Sequence, residues 1–195
     1  MPIPLYYKSL NDKNLTKIKE VLNSGGIIIY PTETLWAIGC KASLEKSVNK
    51  IYNIKKRSDS SPIISLISSY DQIPKYVNKI KFDPKSYSKE FSNPPTIIYP
   101  NCKNKLSHLS NINNEIAFRV TPIDFLKSII DKIGSPLCST SANISGQLPT
   151  KKFESINNTI LNSVDLILNF EFNLSGKPST IIKIDPLGEV QYIRK

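Results

Sequence analysis

The stretch from Gly25 to Cys40 reads Gly-Gly-Ile-Ile-Ile-Tyr-Pro-Thr-Glu-Thr-Leu-Trp-Ala-Ile-Gly-Cys, and it constrains the fold more than any other part of the chain. It opens with an apolar run that is too short for a helix and rich in β-branched residues, the pattern of a buried strand over 27–31. Pro31 then ends the ladder because it has no N–H to offer. Three small polar residues, Thr32-Glu33-Thr34, follow at the strand's end. In α/β proteins ligands bind at the carboxyl ends of strands. A packed core strand has no use for Thr-Glu-Thr there, so the segment predicts a ligand site.

The flanking sequence supplies the partners such a strand needs. Between Asn11 and Asn23, Leu15, Ile18, Val21 and Leu22 share one helical face, and Gly25-Gly26 stops the helix. Ser43 is placed to cap a second helix that turns Leu44, Val48, Ile51 and Tyr52 inward. A strand is expected at 63–67, a short helix near 70–79 and a helical segment over 81–90. Strands follow at 96–99 and 116–120, separated by a polar loop over 100–114. Pro122 suits the first turn of a helix carrying Phe125, Leu126, Ile129, Ile130 and Ile133, which Gly134 ends. A strand at 136–139 opens into Thr140-Ser141-Ala142-Asn143-Ile144-Ser145-Gly146. The last third predicts a helix near 151–161 and strands at 164–169, 179–184 and 189–193. Asp185-Pro186-Leu187-Gly188 has the residues of a type I turn, so the final two strands form a hairpin. Helices alternating with strands, closed by a hairpin, argue for an α/β fold with a mixed sheet, in one domain over 1–195.

Composition narrows the function. The formal net charge is +10, which points to an anionic partner, either nucleic acid or a phosphorylated small molecule; a merely soluble lysine-rich surface is the plainer reading. The three cysteines, Cys40, Cys102 and Cys138, are far apart and form no CxxC pair, so they read as buried reduced thiols. One histidine, His108, without neighbouring Cys or Glu does not make a zinc site, and no motif supports a Ser-His-Asp triad. The N-terminus lacks the features of a signal peptide, and no apolar run reaches a membrane span, which places the protein in the cytoplasm, away from membranes.

Three polar clusters sit at strand or helix ends: Thr32-Glu33-Thr34, Lys55/Arg57 and Ser139/Ser141/Asn143. A fourth, Pro178-Ser179-Thr180, opens a late strand. Singly, each also reads as a turn, a cap or a solvated helix end. Ser175-Gly176-Lys177-Pro178-Ser179-Thr180 matches a P-loop only in part, since Pro178 interrupts the Gly-Lys-Ser/Thr order and Glu171 stands where the first glycine belongs. No GxGxxG follows a strand, so any ATP site must use scattered Lys, Arg, Ser and Asn side chains.

Together these residues resemble a known family. Pro31-Thr32-Glu33-Thr34-Leu35-Trp36-Ala37-Ile38-Gly39-Cys40 is similar to the PTET signature of the YrdC-like threonylcarbamoyl-AMP synthases. Lys55-Lys56-Arg57, followed by Pro62, resembles their KxR element, Ser139 to Gly146 their STSANxSG element, and Pro178-Ser179-Thr180 their PST strand. Order and spacing agree over about residues 10–194, the length of the single-domain members. Three departures stand out. Ala37 replaces a usual glycine. Asn93 stands in a Phe91-Ser92-Asn93-Pro94-Pro95-Thr96 loop where glycine is frequent, and is expected to supply the same left-handed backbone. Lys183 lies where an acidic residue is frequent.

The resemblance implies an open twisted mixed sheet with a basic concave face, and a nucleotidyltransferase that makes threonylcarbamoyl-AMP and pyrophosphate from L-threonine, bicarbonate and ATP. The product would serve N6-threonylcarbamoyladenosine modification of tRNA position 37 through a separate transferase complex. By the same resemblance, Lys55, Arg57, Ser141 and Asn143 carry catalysis. Thr96 and Arg194 join those four around ATP and its accompanying Mg²⁺. Thr32, Arg119, Ser139 and Ser179 hold threonine, with Arg119 on its carboxylate. Glu33 has no role by analogy; a carboxylate beside a triphosphate is repelled, so it should orient the loop or meet a cation. The alternative reading is a non-catalytic basic module for tRNA, rRNA or double-stranded RNA. A carbamoyltransferase like the YrdC-like domain of hydrogenase maturation factors is weaker, because the acylphosphatase and zinc-finger segments of those proteins are not seen in this sequence.

Overall fold

The computed structural model describes residues 4–56 and 63–195. Arg57 of the KxR element and Pro62 that follows it therefore lie outside the described residues. Among the described residues ten strands form one mixed sheet: β1 (Leu5–Tyr7), β2 (Ile28–Pro31), β3 (Trp36–Lys41), β4 (Ile64–Ile67), β5 (Thr96–Tyr99), β6 (Ile116–Val120), β7 (Leu137–Ser141), β8 (Leu166–Leu168), β9 (Ile181–Ile184) and β10 (Val190–Arg194). Their order is β1-β8-β2-β3-β7-β4-β6-β5-β9-β10. The helices are α1 (Asp12–Asn23), α2 (Glu45–Lys55), α3 (Pro84–Tyr87), α4 (Asp124–Ile133) and α5 (Asn158–Leu161).

The expected strand at 27–31 is present as β2, but the chain does not leave it for a helix. It turns back through Thr32–Leu35 and pairs antiparallel as β3, Pro31 opposite Trp36 and Ile28 opposite Gly39. Thr32-Glu33-Thr34 is thus the tip of a β-hairpin. Pro31 tolerates this position because it is the last residue of its strand. β1 and β3 were not legible in the sequence: β1 is three residues long, and β3 reads as a continuation of the polar tip rather than a separate apolar run.

Two further expectations give way to local physics. Ser43 does not cap α2; the N-cap is Leu44, whose side chain makes no capping bond, and its carbonyl accepts from Ser47 and Val48 instead. The segments 70–79, 81–90 and 151–161 form 3₁₀ turns and single helical turns rather than full helices. Short helices are marginal without a long apolar stripe, and Pro74 and Pro84 interrupt two of these. The polar loop at 100–114 contains a 3₁₀ segment, Asn104–Leu109, that buries Leu106 and Leu109. Gly134 takes the left-handed C-cap of α4, with φ of 63°, and Asp185–Gly188 closes the β9–β10 hairpin.

Side-chain alternation divides the core in two. On one face Ile27, Ile29, Trp36, Ile38 and Cys40 pack with Val48, Ile51 and Ile160 from α2 and α5, and with Phe118, Ile97 and Ile182. On the other face Ile28, Tyr30, Ala37, Leu66 and Leu137 pack under Ile18 and Leu22 of α1 and Leu126, Ile129 and Ile130 of α4. Those two helices cover the β1 to β7 half of that face. The half made by β4, β6, β5 and β9 turns Ile64, Ala117, Arg119, Thr96, Ile98 and Ile181 into a cavity instead. Cys40, Cys102 and Cys138 are buried and form no disulfide, and the His108 Nε2 lies 2.8 Å from the Ala42 carbonyl.

Candidate active site

The cavity has a volume of about 430 Å³ and brings together residues from seven strands, β3 to β7 with β9 and β10, and from the loops beside them. Seven of the ten expected site residues line it: Thr32, Thr96, Arg119, Ser139, Ser141, Ser179 and Arg194. Ser139 and Ser141 reach it because β7 continues two residues beyond its expected end. Their strand pairs with β3, Ser141 opposite Ala37 and Ser139 opposite Gly39, which sets the two hydroxyls beside the hairpin tip. Ala37, the departure from glycine, is itself part of the wall.

The hairpin tip is built by Thr32. Its Oγ1 accepts from the backbone N–H groups of Thr34 (3.2 Å) and Leu35 (3.1 Å) and donates to the Leu35 carbonyl at 2.7 Å. The side chain that faces the cavity therefore also shapes the turn. The Ser175-Gly176 segment straps the same tip, through Ser175 N–H to the Glu33 carbonyl and Gly176 N–H to the Thr34 carbonyl. The partial P-loop likeness of 175–180 thus corresponds to a backbone strap.

Arg119 enters from β6 with 6% of its side chain exposed. Its Nε donates to the Pro94 carbonyl at 2.9 Å, and its Nη2 forms an ion pair with the Glu33 carboxylate. Burial lowers the guanidinium below its ordinary pKa, and the Glu33 charge works against that shift. Glu33 thus meets a cation, one of the two roles open to it. The Pro94 contact fastens the 91–96 loop, but the backbone of Asn93 is not left-handed; among the described residues other than glycine only Lys56, Asn101 and Asn114 have positive φ. The loop follows a path that does not need glycine there.

On the far side Thr96 and Ser179 share a hydroxyl–hydroxyl hydrogen bond of 2.9 Å. Arg194 of β10 grips the Ser179 carbonyl with Nε (3.0 Å) and Nη2 (2.8 Å), and burial lowers its pKa. Lys183, at the position where an acid was the norm, pairs with Glu115 at 2.5 Å.

Lys55 and Asn143 do not line the cavity. Lys55 is 2% exposed, and its Nζ donates to the carbonyls of Ser141 and of Asn143, the latter at 2.6 Å. Ser145 N–H returns a bond to the Lys55 carbonyl. Both amide hydrogens of Asn143 are taken within its own loop, by the Ile144 (3.0 Å) and Gln147 (2.7 Å) carbonyls. These two residues lock the 141–147 loop from behind rather than facing a ligand directly. Among the described residues no three His, Cys, Asp or Glu side chains converge as a metal site, and no helix is long and apolar enough to cross a membrane.

Comparison with known proteins agrees with this architecture. Residues 20–195 match the Sua5/YciO/YrdC family model, described as "Telomere recombination". The chain is 31% identical over 182 residues to the threonylcarbamoyl-AMP synthase of Wigglesworthia glossinidia brevipalpis, covering 91% of this chain and 93% of the relative. It is 30% identical over 173 residues to the enzyme of that name from Vibrio campbellii, covering 87% and 93%. The fold matches that of P. abyssi Sua5 complexed with L-threonine at a TM-score of 0.84 and 21% identity, over 94% of this chain and 54% of the Sua5 chain, so it spans about half of that larger protein. A hairpin tip, a β7 serine pair and a buried arginine around one cavity, on a chain whose sequence matches from residue 20 to its last residue, place this protein in the Sua5/YciO/YrdC family.

Proposed function

We propose that the protein is a threonylcarbamoyl-AMP synthase, a nucleotidyltransferase that converts L-threonine, bicarbonate and ATP to threonylcarbamoyl-AMP and pyrophosphate for the modification of tRNA position 37. The observation that carries this reading is the composition of the cavity: among the described residues, seven hydroxyl side chains and two guanidiniums surround one opening. The relatives' names and the threonine complex of P. abyssi Sua5 support it.

The threonine amine is carboxylated, and a carbamate oxygen then attacks the α-phosphorus as pyrophosphate leaves. Phosphoryl chemistry of this type needs positioning and charge neutralisation more than covalent help. Arg119 offers a planar cation to the threonine carboxylate, with Thr32, Ser139 and Ser179 around it. Arg194, Thr96 and Ser141 face the nucleotide. Lys55 supports the site from behind by fixing the loop that presents Ser141, and Arg57, two residues on, is the second cation of that element. Mg²⁺ would arrive on the ATP phosphates, which suits a donor set with a single carboxylate in the cavity wall. Bicarbonate, the transferase complex that takes the product and a cytoplasmic location belong to the same proposal.

The test is pyrophosphate release from ATP by the purified protein. Release is expected with threonine and bicarbonate and lost when threonine is omitted. Salt-sensitive RNA binding without threonine-dependent turnover would instead favour the binding-module reading.

A further inference from the structure

Among the described residues three charged side chains line the cavity: Arg119, Arg194 and Glu33. Glu33 is the single acid among them. Its carboxylate repels phosphate, so it marks an end of the cavity unsuited to ATP. It is also rigidly presented, on a hairpin tip closed by the Thr32 hydroxyl and strapped by Ser175 through the Glu33 carbonyl at 2.9 Å.

The contact with Arg119 is close but not a two-bond clamp. Glu33 Oε1 and Arg119 Nη2 are buried and in ion-pair contact, and among the described residues neither of these atoms has a further hydrogen-bond partner. A carboxylate whose only task is to neutralise a buried arginine gains most from parallel, aligned bonds. Here the two charges meet as an ion pair, and both side chains also border the space a ligand would enter. The α-carboxylate and α-ammonium of an amino acid sit on one carbon, so their receptor must place a cation and an anion side by side, as this pair does.

We propose that Glu33 is a substrate-recognition residue: with Arg119 it receives the zwitterionic head of the amino acid, Arg119 taking the carboxylate and Glu33 the ammonium. This rests on the threonine reading above and adds a residue and a selectivity to it. Glu33 selects for the amine, the group that must be present for carboxylation.

Calorimetric titration with L-threonine and with 3-hydroxybutyrate, which keeps the carboxylate and hydroxyl but lacks the amine, tests this. The wild-type protein should bind threonine about ten- to a hundredfold more tightly, the worth of one charge-assisted hydrogen bond. Glu33→Gln should weaken threonine by a similar factor and 3-hydroxybutyrate by less than about threefold. Equal wild-type affinities for the two ligands, or an equal loss for both in Glu33→Gln, overturns the assignment and leaves Glu33 acting only through Arg119. Should Glu33→Gln fail to fold by circular dichroism, the wild-type comparison decides alone. No threonine binding by the wild type overturns the enzymatic reading itself, whereas binding without preference for the amine overturns only the role of Glu33.

Discussion

At the scale of single residues, the site depends on side chains that never reach its surface. Lys55 is the clearest. A buried ammonium is tolerable because two carbonyls of the 141–145 loop satisfy it, and those carbonyls in turn depend on it. Lys55→Met should cost about 1–3 kcal/mol for each carbonyl left unpaired, read from urea unfolding, and should reduce pyrophosphate release by loosening Ser141. Gly39 is a second case. A Cβ there would lie 2.3 Å from the Cys138 carbonyl and 2.7 Å from the Tyr30 hydroxyl, both fixed in the central strands. Gly39→Ala should lower stability by about 1–3 kcal/mol in a thermal melt and disturb Ser139 opposite it. Trp36, the single tryptophan, is 4% exposed and directly follows the hairpin tip that lines the cavity. Its indole packs on Phe153 and donates to the Lys151 carbonyl, on the sheet face away from the cavity, so its fluorescence should report rearrangement of the hairpin on threonine or ATP binding rather than direct contact with the ligand.

At the scale of elements, the sheet's outer half is held by pairings that sequence periodicity does not reveal. Lys183 on β9 reaches Glu115, at the start of β6, across the intervening β5. Burial alone would raise the Glu115 carboxyl, but hydrogen bonds from Lys183 and Asn111 outweigh it and hold the pKa below its ordinary value. The sign follows: the native state favours the ionised carboxylate, so the pair stabilises the fold above about pH 4.3 and loses that contribution as pH falls through the depressed value. Lys183→Met should therefore be less stable than wild type at neutral pH, by up to about 1 kcal/mol, and the two should converge near pH 2 in urea titrations. The elements that were legible share one property, a long or strongly patterned apolar run: α1, β2, β4, β5, β6, α4 and the closing hairpin. Those that were not, β1, β3 and the 3₁₀ turns, are short or take their order from neighbours already in place.

At the scale of the whole molecule, the cavity exists because α1 and α4 cover only half of one sheet face. The net charge of +10 acts at this scale too. If the charge serves tRNA, that association should weaken by tenfold or more between about 50 and 200 mM salt in a filter-binding assay, since such contacts release counterions. Threonine binding in the cavity should change far less over the same range; a parallel loss would show that both depend on the same exposed charges.

By itself the sequence marked the residues expected to carry the chemistry. Thr32, Lys55, Ser139, Ser141, Asn143 and Ser179 stand out because small hydroxyls and cations at strand or helix ends serve no core, whereas Arg119 and Arg194 are added by the family resemblance alone. The tertiary structure alone decided how they divide the work. Seven of the expected residues face the cavity, while Lys55 and Asn143 turn inward to hold a loop. It also turned Thr32-Glu33-Thr34 from a strand end into a hairpin tip and set Glu33 against Arg119. Those two residues lie 86 positions apart in the chain. Local pattern specifies what a residue can do; its partner is fixed only when β2–β3 and β6 take their places in one sheet, and ion pairs of that range leave no periodic trace.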